Sequence, residues 1–271
     1  MSVCLILAFL AVPNKTFAAE KTKTVYVVSS VDQTWDCSTK ANPNDVTSFT
    51  AKLKYNKNGL ITKHTTNAKK KLTKAEEVCG SHTFSYKGKK LVKETSVADK
   101  DTRKYKYKKG VLKSSKWIFS KDDYLPYKYK VNANGRITRV TNLYDEKTFY
   151  KYDAKGNLVK SYMEYEIEFN NYSYDDKGNL VKYTYSGPET PFSRTIEEFV
   201  DTAVNTYDSE GRLTATTITR WDGSTIKATV KYKRIKVPKS YYKAVVAQQH
   251  DIIMRYVHDQ DTGLPMGIVR W

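Results

Sequence analysis

The stretch 152–160 (YDAKGNLVK) recurs almost unchanged as 174–182 (YDDKGNLVK), and it constrains the fold more than any other feature of the chain. Asp at the first turn position bonds its own backbone, and Gly takes the left-handed conformation that a short reversal needs. Looser copies stand at 55–63 (YNKNGLITK), 86–93 (YKGKKLVK), 107–113 (YKKGVLK), 131–139 (VNANGRITR) and 207–215 (YDSEGRLTA). Each copy reads as one β-hairpin whose turn glycine is Gly59, Gly88, Gly110, Gly135, Gly156, Gly178 or Gly211.

The segments before the turns alternate with the period of a strand. Phe49, Ala51, Leu53 and Tyr55 share one face, and Thr50, Lys52 and Lys54 share the other. Tyr105 and Tyr107 oppose Lys104 and Lys106, Tyr127 and Tyr129 oppose Lys128 and Lys130, and Val230 and Tyr232 oppose Lys231 and Lys233. Tyrosines point one way and lysines the other. A hairpin unit at this spacing cannot bury its apolar face alone, so successive units must extend one antiparallel sheet. The expected fold is all-β: an antiparallel meander of about seven hairpin repeats in one rolled or strongly twisted sheet, with a C-terminal amphipathic helix. Residues 20–237 form the repeat domain, and 238–271 form a helix and tail packed on the sheet or plugging the mouth of the roll. The helical periodicity rests on Tyr242, Val245, Val246, Gln249, Ile252, Ile253 and Tyr256, behind Pro238 and Ser240.

Four other segments carry expectations. Residues 1–19 hold an apolar run, Cys4 to Val12, followed by Ala18 and Ala19, and read as a secretory signal peptide. The alternation of 163–169 (MEYEIEF) predicts a strand with Glu164, Glu166 and Glu168 in an outward row, pairing with lysines. Residues 69–79 place Thr73 and Glu76 at capping-box spacing, which allows a short helical turn. Pro188 and Pro191 make 186–199 a protruding loop.

The Tyr-Asp-x-x-Gly-Asn-Leu and Tyr-Asp-x-x-Gly-Arg-Leu forms at Tyr152, Tyr174 and Tyr207 resemble the YD-repeat (Rhs-like) family of secreted and surface proteins. The resemblance covers roughly 49–235 and implies a β-hairpin scaffold whose repeats carry no chemistry of their own. A weaker likeness to choline-binding repeats meets a chain with only Trp35, Trp117, Trp221 and Trp271, and without the Gly-Trp pairs such sites use.

No motif names a reaction. His64, His82, His250 and His258 lack metal-ligand spacing, adjacent carboxylates such as Glu197 and Glu198 point to opposite sides of a strand, and no nucleophile or phosphate-loop motif occurs. The chain is expected to be non-catalytic and free of cofactor and metal; a hydrolase with its site in 186–199 is the enzymatic alternative. Net charge is +18, so the functional expectation is binding of anionic cell-wall or glycan polymers outside the cell. The residues for it are Lys52, Lys54, Lys104, Lys106, Lys128, Lys130, Lys151, Lys231 and Lys233, if one sheet face collects them. The same rows also serve as a solvated face that keeps strands from aggregating. Carbohydrate stacking on Tyr183 and Tyr185 is the other binding alternative. Neither an intracellular nucleic-acid partner nor a membrane-spanning segment is expected. Cys37 and Cys79 are the pair that an oxidising compartment could bridge.

Overall fold

The computed structural model describes residues 20–38, 45–70, 76–97, 99–164, 168–188, 196–260 and 264. Sixteen strands follow in order: β1 (Thr22–Asp36), β2 (Val46–Tyr55), β3 (Ile61–Lys70), β4 (Glu76–Lys87), β5 (Lys90–Ser96), β6 (Thr102–Lys108), β7 (Val111–Ile118), β8 (Tyr124–Val131), β9 (Ile137–Thr141), β10 (Lys147–Tyr152), β11 (Leu158–Met163), β12 (Phe169–Tyr174), β13 (Leu180–Pro188), β14 (Ile196–Tyr207), β15 (Leu213–Thr219) and β16 (Thr225–Pro238). A 3-10 turn (Lys239–Tyr241) and one α-helix, α1 (Tyr242–Tyr256), come after them.

Each strand pairs antiparallel with the next, and β1 pairs with β16 from Thr22 opposite Pro238 to Asp36 opposite Thr225, so the sheet closes into a barrel. This corrects the expected open roll of about seven hairpins. The chain has a long first strand and an eighth short hairpin, turning at Gly223 (φ 82°), that the motif search missed. With β1 and β16 side by side, the edges that an open roll would have to cover are gone.

The repeat turns share one construction. Gly156 N–H donates to Asp153 C=O, Asp153 N–H donates to Asn157 C=O, and Asp153 Oδ1 accepts from the backbone N–H of both Gly156 and Asn157. The same pattern of backbone bonds recurs at 56–60, 132–136, 175–179 and 208–212. Gly59, Gly88, Gly110, Gly135, Gly156, Gly178 and Gly211 all have φ between 60° and 92°. Each turn carries a one-residue bulge, as where Tyr152 pairs with Leu158 just after Lys151 has paired with Lys160.

Two positions of the motif build the interior. The apolar residue after each turn is buried at 5% exposure or less: Ile61, Leu91, Leu112, Ile137, Leu158, Leu180 and Leu213. Each contributes about 1.5–3 kcal/mol. Three motif tyrosines then peg one hairpin to the one before it: Tyr107 donates to Leu91 C=O (3.0 Å), Tyr152 to Ile137 C=O (2.8 Å) and Tyr174 to Leu158 C=O (2.7 Å), and Tyr232 of β16, outside the motif, makes the same bond to Leu213 C=O (2.9 Å).

The helix lies within the barrel. Gln249 Oε1 accepts from Val28 N–H (2.8 Å) at the β1 bulge, and Gln248 Oε1 accepts from Ile61 N–H (3.2 Å) at the β2–β3 bulge. Gln248 Nε2 also donates to Tyr86 Oη (3.0 Å). Bulges break the ladder and leave backbone donors that must find acceptors, and these two buried glutamines supply them. On the other side His250 faces Tyr174 at 6.0 Å between rings, and His258, past the end of α1, lies among Leu180, Tyr183, Asp201 and Ile218. The buried stripe of α1 is Ala244, Val245, Gln248, Gln249, Ile252 and Met254, whereas Val246, assigned to the apolar stripe from sequence, is exposed.

Other local expectations are also corrected. β11 stops at Met163 and β12 starts at Phe169, so these two residues belong to different strands and not to one; Glu164 pairs with Lys147 (2.5 Å) at this end of the barrel, and 165–167 are outside the described residues. Both ends of the expected 186–199 loop are sheet, with Ser186 opposite Glu198 and Pro188 opposite Ile196, and 189–195 are outside the described residues. Pro188 is tolerated because it ends its strand. Residues 76–79 belong to β4 and not to a helical turn, and 71–75 are outside the described residues, as are 1–19.

Candidate functional site: a wall of lysines

All nine sequence-predicted lysines are exposed, and all but Lys233 stand on the outer face, because each alternates with a residue of the core or of the tyrosine layer packed on it. The register shows which of them meet. The residue before each motif tyrosine lies opposite the second residue after the motif leucine: Lys54 faces Lys63, Lys130 faces Arg139 and Lys151 faces Lys160. Lys104 is flanked by Lys93 and Lys116, and Lys106 and Lys128 flank Ser114 from either side. Barrel closure brings in the ends of the chain, since Ser30 on β1 pairs with both Lys52 and Lys231. There Lys231 Nζ donates to Asp32 Oδ2 at 3.0 Å. Burial raises the Asp32 carboxyl, but hydrogen bonds from Lys231 and Thr50 bring it below its usual range. Lys233, two residues on from Lys231, lies opposite the fully buried Val27, with its Nζ 5.0 Å from the Tyr55 ring centroid.

Sequence reasoning missed Lys63, Lys93, Lys116, Arg139 and Lys160, the partners on the strands after the turns. Four of them had a signal in the cation two residues after the motif leucine or isoleucine, as in Leu91-Val92-Lys93 and Ile137-Thr138-Arg139, whereas Lys116 lies outside the motif. Strands β5 to β10 contain one acidic residue, Glu94, and its carboxylate points inward. There Glu94 accepts from Tyr105 Oη (2.9 Å) and meets His82 Nδ1 at 3.3 Å. Burial alone would raise Glu94, but His82, Tyr105 and Arg103 hold it below the usual carboxylate range. The outer lysines of this arc therefore have no carboxylate beside them within their strands. Like charges opposite one another destabilise a sheet, and a polyanion laid across them relieves that repulsion while releasing its own counterions.

Tyr183 and Tyr185 lie elsewhere. Tyr183 donates to Asn170 Oδ1 (2.6 Å) with its ring against Tyr172 in the interior, and Tyr185 stacks on Phe199. Cys37 is an exposed free thiol just after β1; Cys79 is in β4, and its side chain is outside the described set. Among the described residues no group of three or more His, Cys, Asp or Glu is arranged to hold a metal ion, and no helix is long and apolar enough to cross a membrane.

No family model matches the chain, and no curated protein matches it. Among solved structures, complexes of the TcdB2 and TccC3 proteins align at 13% identity over 74% of this chain and 16% of theirs, with a TM-score of 0.29. A porin-like protein from Bacteroides uniformis aligns at 11% identity over 76% of this chain and 98% of its own, with a TM-score of 0.53. The chain is thus similar to that porin-like protein in its β-barrel fold, and in its fold alone.

Proposed function

We propose that the protein is a secreted, non-catalytic β-hairpin scaffold that binds anionic polymers of the cell surface along the outer face of β2 to β11. The observation that carries this reading is the run of β5 to β10, where cations line the outer face and the one carboxylate faces inward. The YD-type repeats support the scaffold half of the reading, because their tyrosines and leucines are consumed in pegging hairpins and filling the core.

The polarity of the wall argues for a barrel in water. A membrane barrel turns apolar side chains to lipid, and a Lys or Arg on that face costs about 2–4 kcal/mol at mid-bilayer. Here the apolar residues face inward and lysines face outward on successive strands. The test is retention on immobilised heparin against a salt gradient. The wild-type chain is expected to elute late with a steep salt dependence; elution at low salt would remove the proposal.

A further inference from the structure

Among the described residues the outer wall carries an aromatic row across β10 to β12. Tyr150 and Tyr172 point into the core, so Phe149 faces outward on β10, and Tyr162 and Phe169 stand on the same outer face across β11 and β12. The register runs Arg139, Phe149, Tyr162, Phe169 across four adjacent strands. The rings of Phe149 and Tyr162 are nearly parallel, at 17°, with centroids 5.2 Å apart. The next row toward the repeat turns is Lys151 and Lys160. Lys151 Nζ lies 5.4 Å from the Tyr162 centroid, and Lys160 Nζ lies 4.3 Å from that of Phe169 and 5.8 Å from that of Tyr162. On the opposite flank Lys147 is engaged by Glu164, so the cations available to a ligand are Lys151, Lys160 and Arg139.

Flat rings with ammonium groups 4.3–5.8 Å from the centroids of Tyr162 and Phe169 suit a ligand whose negative charge is attached to the stacking ring itself. In a single-stranded nucleic acid the phosphate is separated from the base by a sugar, so a cation touching the stacking plane would be misplaced. In a polysaccharide of uronic acids or ring-sulfated sugars, the apolar C–H face and the anion belong to one ring. Resting on the polyanion reading above, we infer that Phe149, Tyr162 and Phe169, with Lys151, Lys160 and Arg139, form a stacking subsite for a polysaccharide that carries carboxylate or sulfate on its pyranose rings.

The experiment compares three probes on the full chain: heparin, which has charged rings; inorganic polyphosphate, which has charge without rings; and oligothymidylate, which has rings remote from its charge. The variant is Phe149→Leu with Tyr162→Leu, which keeps an apolar cross-strand pair and removes the flat faces. The double variant is expected to lose about tenfold in heparin affinity, by analogy with the loss of one stacked ring, with polyphosphate affinity and melting temperature unchanged. Tyr162→Leu alone serves if the double variant does not fold. Equal heparin affinity in wild type and variant, or an equal loss for heparin and polyphosphate, overturns the subsite and leaves the lysine wall in place. A loss confined to oligothymidylate overturns the saccharide assignment in favour of nucleobases. Failure of the wild-type chain to bind either heparin or polyphosphate removes the underlying reading itself.

Discussion

The wall from β5 to β10 and the wall from β14 to β16 are built on the same inner frame and differ on the outside. Across the first, the outer rows read Lys93, Lys104, Lys116 and Lys106, Ser114, Lys128. Across the second they read Thr202, Thr219, Thr225 and Thr206, Ala215, Thr229. Inside, Tyr107 and Tyr152 peg the first wall and Tyr232 pegs the second with the same bond to a preceding carbonyl. The outer face is therefore free to vary once the inner positions are fixed. Threonine satisfies a half-buried strand through its β-branch, whereas a run of uncompensated lysines adds repulsion that the fold does not need.

Acid should separate what lies under the two sides most strongly. His64 is buried beside His82 under β3 and β4, and burial, then the His82 charge, pushes its pKa down to about 3. His258 is fully buried against β13 to β15, with neither ring nitrogen hydrogen-bonded, and burial, then the His250 charge, lowers it to about 4. Both must stay neutral in the folded state, so their stability is complete above pH 6.5 and is lost as the pH falls from there toward 4 and 3. Each costs about 1.4 kcal/mol per pH unit across its window. Urea unfolding at pH 7 and pH 5 should show a drop of about 4 kcal/mol in total, with His64→Asn and His258→Asn each recovering about half. A variant that keeps the full wild-type drop would show that the histidine it replaces is not held neutral.

Gly59→Val and Gly211→Val make the next contrast. Both glycines have φ near +80°, but a Cβ at Gly59 meets Val237 Cγ1 at 2.6 Å and Val245 Cγ2 at 2.9 Å, whereas one at Gly211 meets open space. Backbone strain of about 1 kcal/mol is common to both, and overpacking against α1 should add about 1–3 kcal/mol at Gly59 alone. Equal melting temperatures would mean that the helix does not support that turn. Gly187 is no neutral control, since it lies in β13 and a Cβ there runs into the Tyr185 hydroxyl.

Charge reversal tests the outer difference itself. Lys93→Glu, Lys104→Glu and Lys116→Glu together should lower heparin affinity by about a hundredfold at low salt, while Glu at Thr202, Thr219 and Thr225 should change it far less. Comparable losses from both triples would mean that net charge, and not the wall, governs binding. The smallest effect is expected where the walls are alike. Tyr152→Phe and Tyr232→Phe each remove one peg and should cost about 1 kcal/mol, and a clear inequality between them would show that the two inner frames are not equivalent.

What the sequence determined by itself is local. Asp153, Gly156 and Leu158 specify a turn, a bulge and a buried anchor within a few residues of chain, and the period-two alternation assigns each neighbouring side chain to a face. Where alternation was taken without its hydrogen-bond partners, as at 163–169, the reading failed, because Tyr162 and Phe169 are partners across two strands and not neighbours in one. Local chemistry also placed α1 behind Pro238 but could not say what it touches. Only the tertiary structure decided that β1 and β16 pair, that Gln248 and Gln249 answer backbone donors at bulges far away in the sequence, and that Lys52 and Lys231 flank the same Ser30. The reason is that closure depends on the accumulated twist and register of all sixteen strands, a sum to which every hairpin contributes and which no single hairpin encodes.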